Sequence, residues 1–400
     1  MPAALPLLLT AAAALIGAGL MAFWFRQSLL PVAAGAAAGA LAGGAGSLLF
    51  MLPLDYCTFS PESQPIDVAL GLGLVAVGML LLLLPVYWLA GRLRGGWRTL
   101  LASDAPPGSF KGWLWPLLLL LPTLAILFLF LYYPALDTLR LATQTSLLGI
   151  RGTIFVCVDN FTRLATDRSY LQALGNTALI TVMTVGISMA LSLLIALAAF
   201  QPVKGARLYR TLLIWPYAIS PVVAGVIFLL LFNPTGGIIN YFLGVVGIEG
   251  IRWLNSPTYA PWAVIAASVW KSMGFNILFY IAGLQNVPND LKEAAAIDGA
   301  NVFQRFRYIV LPLLSPITFF LLITNTTYAV FETFGTIDYL TPGGGPLQST
   351  ETLMYRVYRV GIQNNDLGNG AAQSIILFLL VIALTVFQFR SSGSRVNYGA

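Results

Sequence analysis

Few residues in this chain could do chemistry. It contains no histidine, which removes imidazole-ligated metals, Ser-His triads and histidine general bases together. Its two cysteines, Cys57 and Cys157, lack CxxC spacing, so a thiolate zinc site is excluded. They read as two unrelated free thiols, with a single disulfide left open if both face an oxidising compartment. No GxxxxGK[ST] phosphate loop is present, so the chain cannot bind ATP in the usual way. What remains are polar side chains inside apolar runs, where they are costly and usually face a cavity or another helix. One run carries Lys271, Ser272 and Asn276 beside Trp270 and Phe275; another carries Thr324, Asn325, Thr326, Thr327 and Glu332. Lys271 could meet a phosphate or another anion, or pair with Glu332 or a neighbour, or snorkel toward an interface. Trp270 and Phe275 could stack on a sugar ring or serve only in packing.

The elements that must position these residues follow from composition. Of 400 residues, 58% are hydrophobic and 9% charged, where soluble domains average roughly 25% charged. So few charges exclude an ordinary water-soluble enzyme, and equally a disordered chain. The net charge of +6 is scattered in short clusters between long apolar runs, a pattern that reports membrane topology and not nucleic-acid binding. Nine runs are long enough to span: 5–25, 29–53, 68–89, 113–133, 174–200, 212–232, 260–283, 309–331 and 372–389. A helix needs about 20 apolar residues to cross, and none of these runs shows the strict alternation of a barrel strand. The expectation is an all-α membrane protein of about nine transmembrane helices. One set of connecting segments holds thirteen Lys and Arg and the opposite set seven. The denser set should be cytoplasmic, which puts the N-terminus outside and the C-terminus inside. The run 5–25 lacks a basic flank and is read as a span, not a signal peptide.

The chain is expected to divide into an N-terminal three-helix extension (1–95), a cytoplasmic linker (96–112) and a six-helix core (113–395). Gly35, Gly39 and Gly43 share one face of the second run, which allows close helix packing. Within the core, TPGGGPLQST precedes a short surface helix with Leu353, Val357 and Val360 on one face. The cytoplasmic stretch 284–316 reads as a helix–turn–helix. Asn289 or Asp290 can cap its first helix, Gly299 permits a sharp turn, and Val302, Phe303 and Phe306 form an apolar patch beside Arg305 and Arg307. Such patches suit docking to another protein, with an interfacial helix on lipid as the alternative.

These residues resemble a known family. Glu293-Ala294-Ala295, Gly299, Ile309 and Leu311-Pro312 match the EAA loop of ABC importer permeases at every defining position, with Asp298 beside the glycine. SVWKSMGFNILFYIAGLQNVP, LKEAAAIDGA, LFNPTGGIIN, GGPLQSTETLMYRVYR and LGNGAAQSIILF are similar to the MalF-type carbohydrate branch, glycerol-3-phosphate permeases included. The resemblance covers roughly 113–395 and leaves out the first three runs. It implies a type I ABC importer core and a loop (284–312) that inserts into a cleft of the ATP-binding subunit, with Glu293 facing a basic residue there. It implies alternating access driven by that subunit. It also implies the partners: a second homologous permease subunit, two ATP-binding subunits carrying ATP-Mg, and an external solute-binding protein, with no cofactor in this chain and no nucleic acid. Family sugar contacts map onto Ser272, Phe275, Thr326, Ala329, Val330 and Thr333, a set poorer in amides than in the maltose protein. The implied function is import of a carbohydrate or polyol phosphate across the bacterial inner membrane. An ion-gradient-driven transporter is the alternative; it should show acidic or histidine relays and inverted repeats, and only Glu332 qualifies. A membrane enzyme is disfavoured by the missing histidine.

Overall fold

The long apolar runs of the core form helices, because in lipid a helix satisfies each backbone group within its own segment. The computed structural model describes residues 114–145, 154–156, 158–201 and 205–392, together with helical pairs at 14–15 and 39–40. The rest of the N-terminal extension, the linker and both cysteines lie outside the described residues. Among the described residues, five helices are long and apolar enough to cross a membrane: Leu118–Ala142, Arg168–Ala199, Ala260–Gln285, Ser315–Leu340 and Leu367–Ser391.

The expected span 212–232 departs from this pattern. It is broken into α5 (Ala206–Ala218) and α6 (Pro221–Leu231), bent by 101°. Pro221 forces its predecessor out of the helical region, and Ile219 and Ser220 are both extended. Ser220 then caps α6 by accepting from the Val223 amide, while Pro221 occupies the first turn, where a missing N–H costs little.

The chain divides into two compact units. In the first (Met1–Arg163 and Asn365–Ala372), α1 (Leu114–Leu127) passes through a π-helical stretch (Phe128–Tyr132) into α2 (Tyr133–Ala142). The expected end at Tyr133 is overrun: the wider π turn accommodates Pro134, whose missing N–H and ring would otherwise break the helix. From Leu118 through Tyr133 the side chains are exposed on every face. β1 (Gln144–Thr145) and β2 (Ile154–Phe155) make a two-residue antiparallel ladder. The Asn160 amide of α3 (Asp159–Thr166) donates to the carbonyls of Ala142 and Gln144.

The second unit (Leu164–Asn364 and Gln373–Ala400) holds the packed bundle. α4 (Arg168–Ala199) starts where the Asp167 carboxylate accepts from the Ser169 amide. α7 (Ile238–Val245) is a short helix, followed by α8 (Ala260–Gln285). α9 (Asn289–Ile297) and α10 (Val302–Arg305) form the loop. A π turn (Phe306–Val310) and a short turn (Leu311–Leu313) then lead into α11 (Ser315–Phe331) and α12 (Thr333–Leu340). α13 (Leu353–Tyr358) and α14 (Leu367–Ser392) complete the order.

Lipid tails are as apolar as leucine, so packing contacts hold such a bundle, and small residues let backbones approach. α4 faces α8 with Ser188, Ser192, Ala196 and Ala199, all buried. Gly274 of α8 lies against α5: a Cβ there would come within 2.7 Å of the Ile214 carbonyl oxygen. The far end of α4 is closed by Arg210, whose guanidinium donates to the Ala199 carbonyl, as does the Tyr209 hydroxyl. Those carbonyls have no partner within the helix, so α5 is tied to α4 through its terminus. Toward the loop, Ile277, Tyr280, Leu284, Leu314 and Leu321 form one apolar cluster.

Candidate functional site

A cavity of about 240 Å³ opens between α8 and the α11–α12 pair. Its lining reads as two helical stripes. Ser268, Lys271, Ser272 and Phe275 recur at i, i+3, i+4 and i+7 on α8. Asn325, Tyr328, Ala329, Glu332, Thr333 and Thr336 continue the same period along α11 and α12. Thr184 of α4 and Tyr217 of α5 complete the wall. Of the residues singled out in sequence, Lys271, Ser272, Phe275, Asn325, Ala329, Glu332 and Thr333 line this cavity.

Trp270, Asn276, Thr326 and Val330 do not line it. Trp270 packs edge-on against Phe228, with ring centroids 5.5 Å apart. Val330 is buried. Thr326 accepts from the Gln388 amide of α14 at 3.0 Å. Asn276 is fully buried; its amide donates to the Ser188 hydroxyl at 3.3 Å, and its carbonyl accepts from Asn325 at 2.7 Å. This trio ties α4, α8 and α11 together on the loop side of Ser272. A buried polar network of this kind fixes helix register because each lost partner would strand a polar group. The anticipated pair between Lys271 and Glu332 is not formed: neither makes an ion pair among the described residues.

α8 and α11 run from the cavity into the loop. α9 begins after Pro288, and neither Asn289 nor Asp290 caps it with a side chain, because Pro288 holds the cap position. Gly299 turns the chain at φ +85°, in the left-handed region that disfavours a Cβ. Asn301 and Gln304 form a reciprocal capping box at 2.8 Å for α10. Glu293, Ala294 and Asp298 are exposed, and Ala295, Ile309, Leu311 and Pro312 are half-buried. Ile297 is 87% exposed and Phe303 72%, large apolar groups without cover among the described residues.

Residues 183–396 match the family described as "Binding-protein-dependent transport system inner membrane component". The chain belongs to this family. The permease is also 46% identical over 286 residues to an sn-glycerol-3-phosphate transport system permease protein of Agrobacterium fabrum, covering 71% of this chain and 96% of the relative. Against the same-named protein of Yersinia pestis biovar Antiqua the identity is 45% over 296 residues, covering 74% and 99%. In fold it is similar to a chain of a bacterial ABC transporter involved in the import of the acidic polysaccharide alginate, with TM-score 0.62, 23% identity and coverage of 70% and 96%. The same transporter bound to an alginate-pentasaccharide-loaded periplasmic protein gives TM-score 0.63 at 22% identity, covering 72% and 96%. The chain is therefore a multi-pass membrane permease subunit of an ABC importer that works with a solute-binding protein. It is a transporter and not an enzyme, with ATP hydrolysed in partner subunits. The ion-gradient alternative falls away.

Beyond α12 the permease carries a second polar centre. Gly343, Gly344 and Gly345 adopt positive φ in a tight loop. Glu351 follows, with its side chain 1% exposed. It pairs with Arg359 at 2.8 Å and with Arg356 at 3.8 Å. Arg356 also reaches Asp167 at 2.5 Å and donates to the Ser169 hydroxyl. The Asn176 amide donates to the carbonyls of Gln348 and Glu351, and the Thr177 hydroxyl accepts from the Leu353 amide. The segment is thus fastened to the start of α4.

Sequence reasoning missed Thr184, Tyr217, Ser268, Tyr328 and Thr336 in the cavity wall. Thr184 was legible. Thr177, Thr181, Thr184, Ser188 and Ser192 recur every three or four residues in an otherwise apolar helix, and all five are buried. The Tyr217 position depends on the 101° break, for which no spacing rule gives a direction.

Proposed function

We propose that this permease imports a small carbohydrate or polyol phosphate, of the glycerol 3-phosphate class, through the cavity between α8 and α11–α12. The reading is supported by one arrangement above all: the two helices that bound a hydroxyl- and ring-lined cavity are the same two that flank the exposed loop. Movement of the loop would be carried along them as rigid bodies, so the cavity would face one side of the membrane and then the other. The names of the relatives support the substrate class.

The 284–312 loop is the docking element for an ATP-binding subunit. Its exposed Glu293 faces that subunit, and Gly299 shapes the turn. Two such subunits, carrying ATP and magnesium, and a second homologous permease subunit complete the importer; this chain itself needs no cofactor. The core comprises residues 113–395, preceded by the three-helix extension and the cytoplasmic linker, with the N-terminus outside and the C-terminus in the cytoplasm of a bacterial cell. The test is uptake of labelled sn-glycerol 3-phosphate by proteoliposomes holding the whole complex, with ATP inside and binding protein outside. ATP-dependent accumulation is expected. An assembled, ATP-hydrolysing complex that accumulates no phosphorylated polyol would overturn the reading.

A further inference from the structure

We infer that the cavity is a polarised phosphomonoester site in which Lys271, Thr184 and Ser268 take the phosphate and Glu332 takes polyol hydroxyls. This rests on the substrate class just proposed and deepens it.

The wall offers two kinds of hydroxyl. Ser272, Thr333 and Thr336 donate theirs to backbone carbonyls. The Thr184 hydroxyl, on a side chain 4% exposed, and the Ser268 hydroxyl have no partner among the described residues. A buried hydroxyl is costly to leave unbonded. Lys271 adds a half-buried ammonium that forms no ion pair among the described residues, although Glu332 lines the same cavity. Glu332 acts on Lys271 electrostatically without closing to an ion pair, so the ammonium keeps its hydrogen-bonding capacity for a ligand. The cavity thus presents three donors on buried or half-buried side chains without acceptors among the described residues, one of them charged, beside the exposed Tyr217 and Tyr328. A phosphate ester offers only acceptor oxygens and a negative charge, which is the complement of that set.

Glu332 bears on the rest of the ligand. It is exposed, at the junction of α11 and α12 on the opposite stripe. A carboxylate accepts hydrogen bonds and repels anions. It therefore suits the hydroxyl end of a polyol and opposes a second acidic group.

The test uses the complete importer in proteoliposomes at saturating binding protein, with sn-glycerol 3-phosphate as the probe and inorganic phosphate as competitor. Lys271→Gln is expected to lower the uptake rate more than tenfold, with Lys271→Arg restoring most of it. Thr184→Val removes a partnerless hydroxyl at nearly constant shape. A packing role predicts unchanged uptake; a phosphate contact predicts a loss of about three- to tenfold, of the size of one hydrogen bond, with the unfolding temperature unchanged or raised. Glu332→Gln is expected to let inorganic phosphate compete more strongly. If Lys271→Gln does not co-purify with the other subunits, Thr184→Val decides. Wild-type uptake rates in both Lys271→Gln and Thr184→Val would overturn the site while leaving the import reading intact. A wild-type complex that carries no phosphate monoester would overturn both, before any variant is made.

Discussion

Two irregular segments flank the α11–α12 pair, one at 286–314 and one at 341–363, and they treat their side chains in opposite ways. The second buries charge. Glu351 and Arg356 are withdrawn from solvent and matched by Arg359, Asp167 and Ser169, and the backbone is fastened to α4 by Asn176 and Thr177. The first exposes apolar groups. Ile297, Val302, Phe303 and Tyr308 stand clear of the chain, and the polar bonds within it are local, as in the Asn301–Gln304 box. A segment whose buried charges are paired internally is finished by its own fold. A segment whose apolar groups are left uncovered is finished by something else, since contiguous exposed apolar surface outside lipid marks an interaction site. The contrast separates a segment with paired buried charges from one with uncovered apolar groups without reference to any relative.

The largest effect that would break this contrast is at Arg356. Arg356→Met removes the hub between Asp167, Glu351 and Ser169. Breaking a buried pair by deleting one partner costs about 3–5 kcal/mol, with the low end expected here because Arg359 still faces Glu351. Thermal unfolding of the purified subunit should fall markedly. An unchanged transition would mean that the buried charges do not hold the segment.

Next is Gly299. Its φ of +85° is disfavoured for any side chain, yet a Cβ would meet nothing within 4 Å. Gly299→Ala should therefore cost about 1–2 kcal/mol from backbone strain alone. Gly299→Asn, which tolerates the left-handed region better, should cost less. Equal losses for both would point to contact and not conformation.

Much of this was legible because periodicity and motif spacing are local properties. The five long helices, the glycine turn and the two polar stripes all follow from residues at fixed offsets. The Asn301–Gln304 box was written in the sequence as an N-x-x-Q spacing and was passed over. The 101° break at Ile219–Ser220 had a visible cause in Pro221 but no visible angle. The Glu351 cluster was hidden for a different reason. Asp167 and Arg356 lie 189 positions apart, and nothing in a single sequence brings such residues together. The same holds for Asn276, Asn325 and Ser188, which read as three separate polar residues until three helices join them.

A smaller effect concerns pH. Burial pushes the Glu351 carboxyl above the usual carboxylate range, against the pull of Arg359 and Arg356 and with Asp167 adding to the rise. The folded state then holds this proton more tightly than the unfolded state does. Its contribution to stability is complete below the ordinary carboxylate value and is lost as pH rises through the raised one. The unfolding temperature of the wild type should fall across that window relative to Glu351→Gln, which keeps the neutral shape at every pH. A steeper fall in the variant would reverse the sign and show that the attraction of Arg359 outweighs the burial of Glu351.

The smallest stability effect is expected where the comparison is sharpest. Phe303 is 72% exposed, and replacing an exposed group away from caps and buried networks usually changes stability by less than about 0.5 kcal/mol. Phe303→Ser should leave the unfolding temperature of the isolated subunit within error, and removing uncovered apolar surface should even improve its solubility in detergent. On the docking reading the same change should sharply reduce co-elution of the ATP-binding subunit, because an aromatic anchor buried at an interface carries a disproportionate share of the binding energy. Arg356→Met should behave in the reverse manner, lowering stability while the folded fraction still docks. If Phe303→Ser lowers both quantities together, the patch is part of the subunit's own packing. If it lowers neither, the apolar face lies on lipid headgroups, and the contact with the ATP-binding subunit is made by α9 alone.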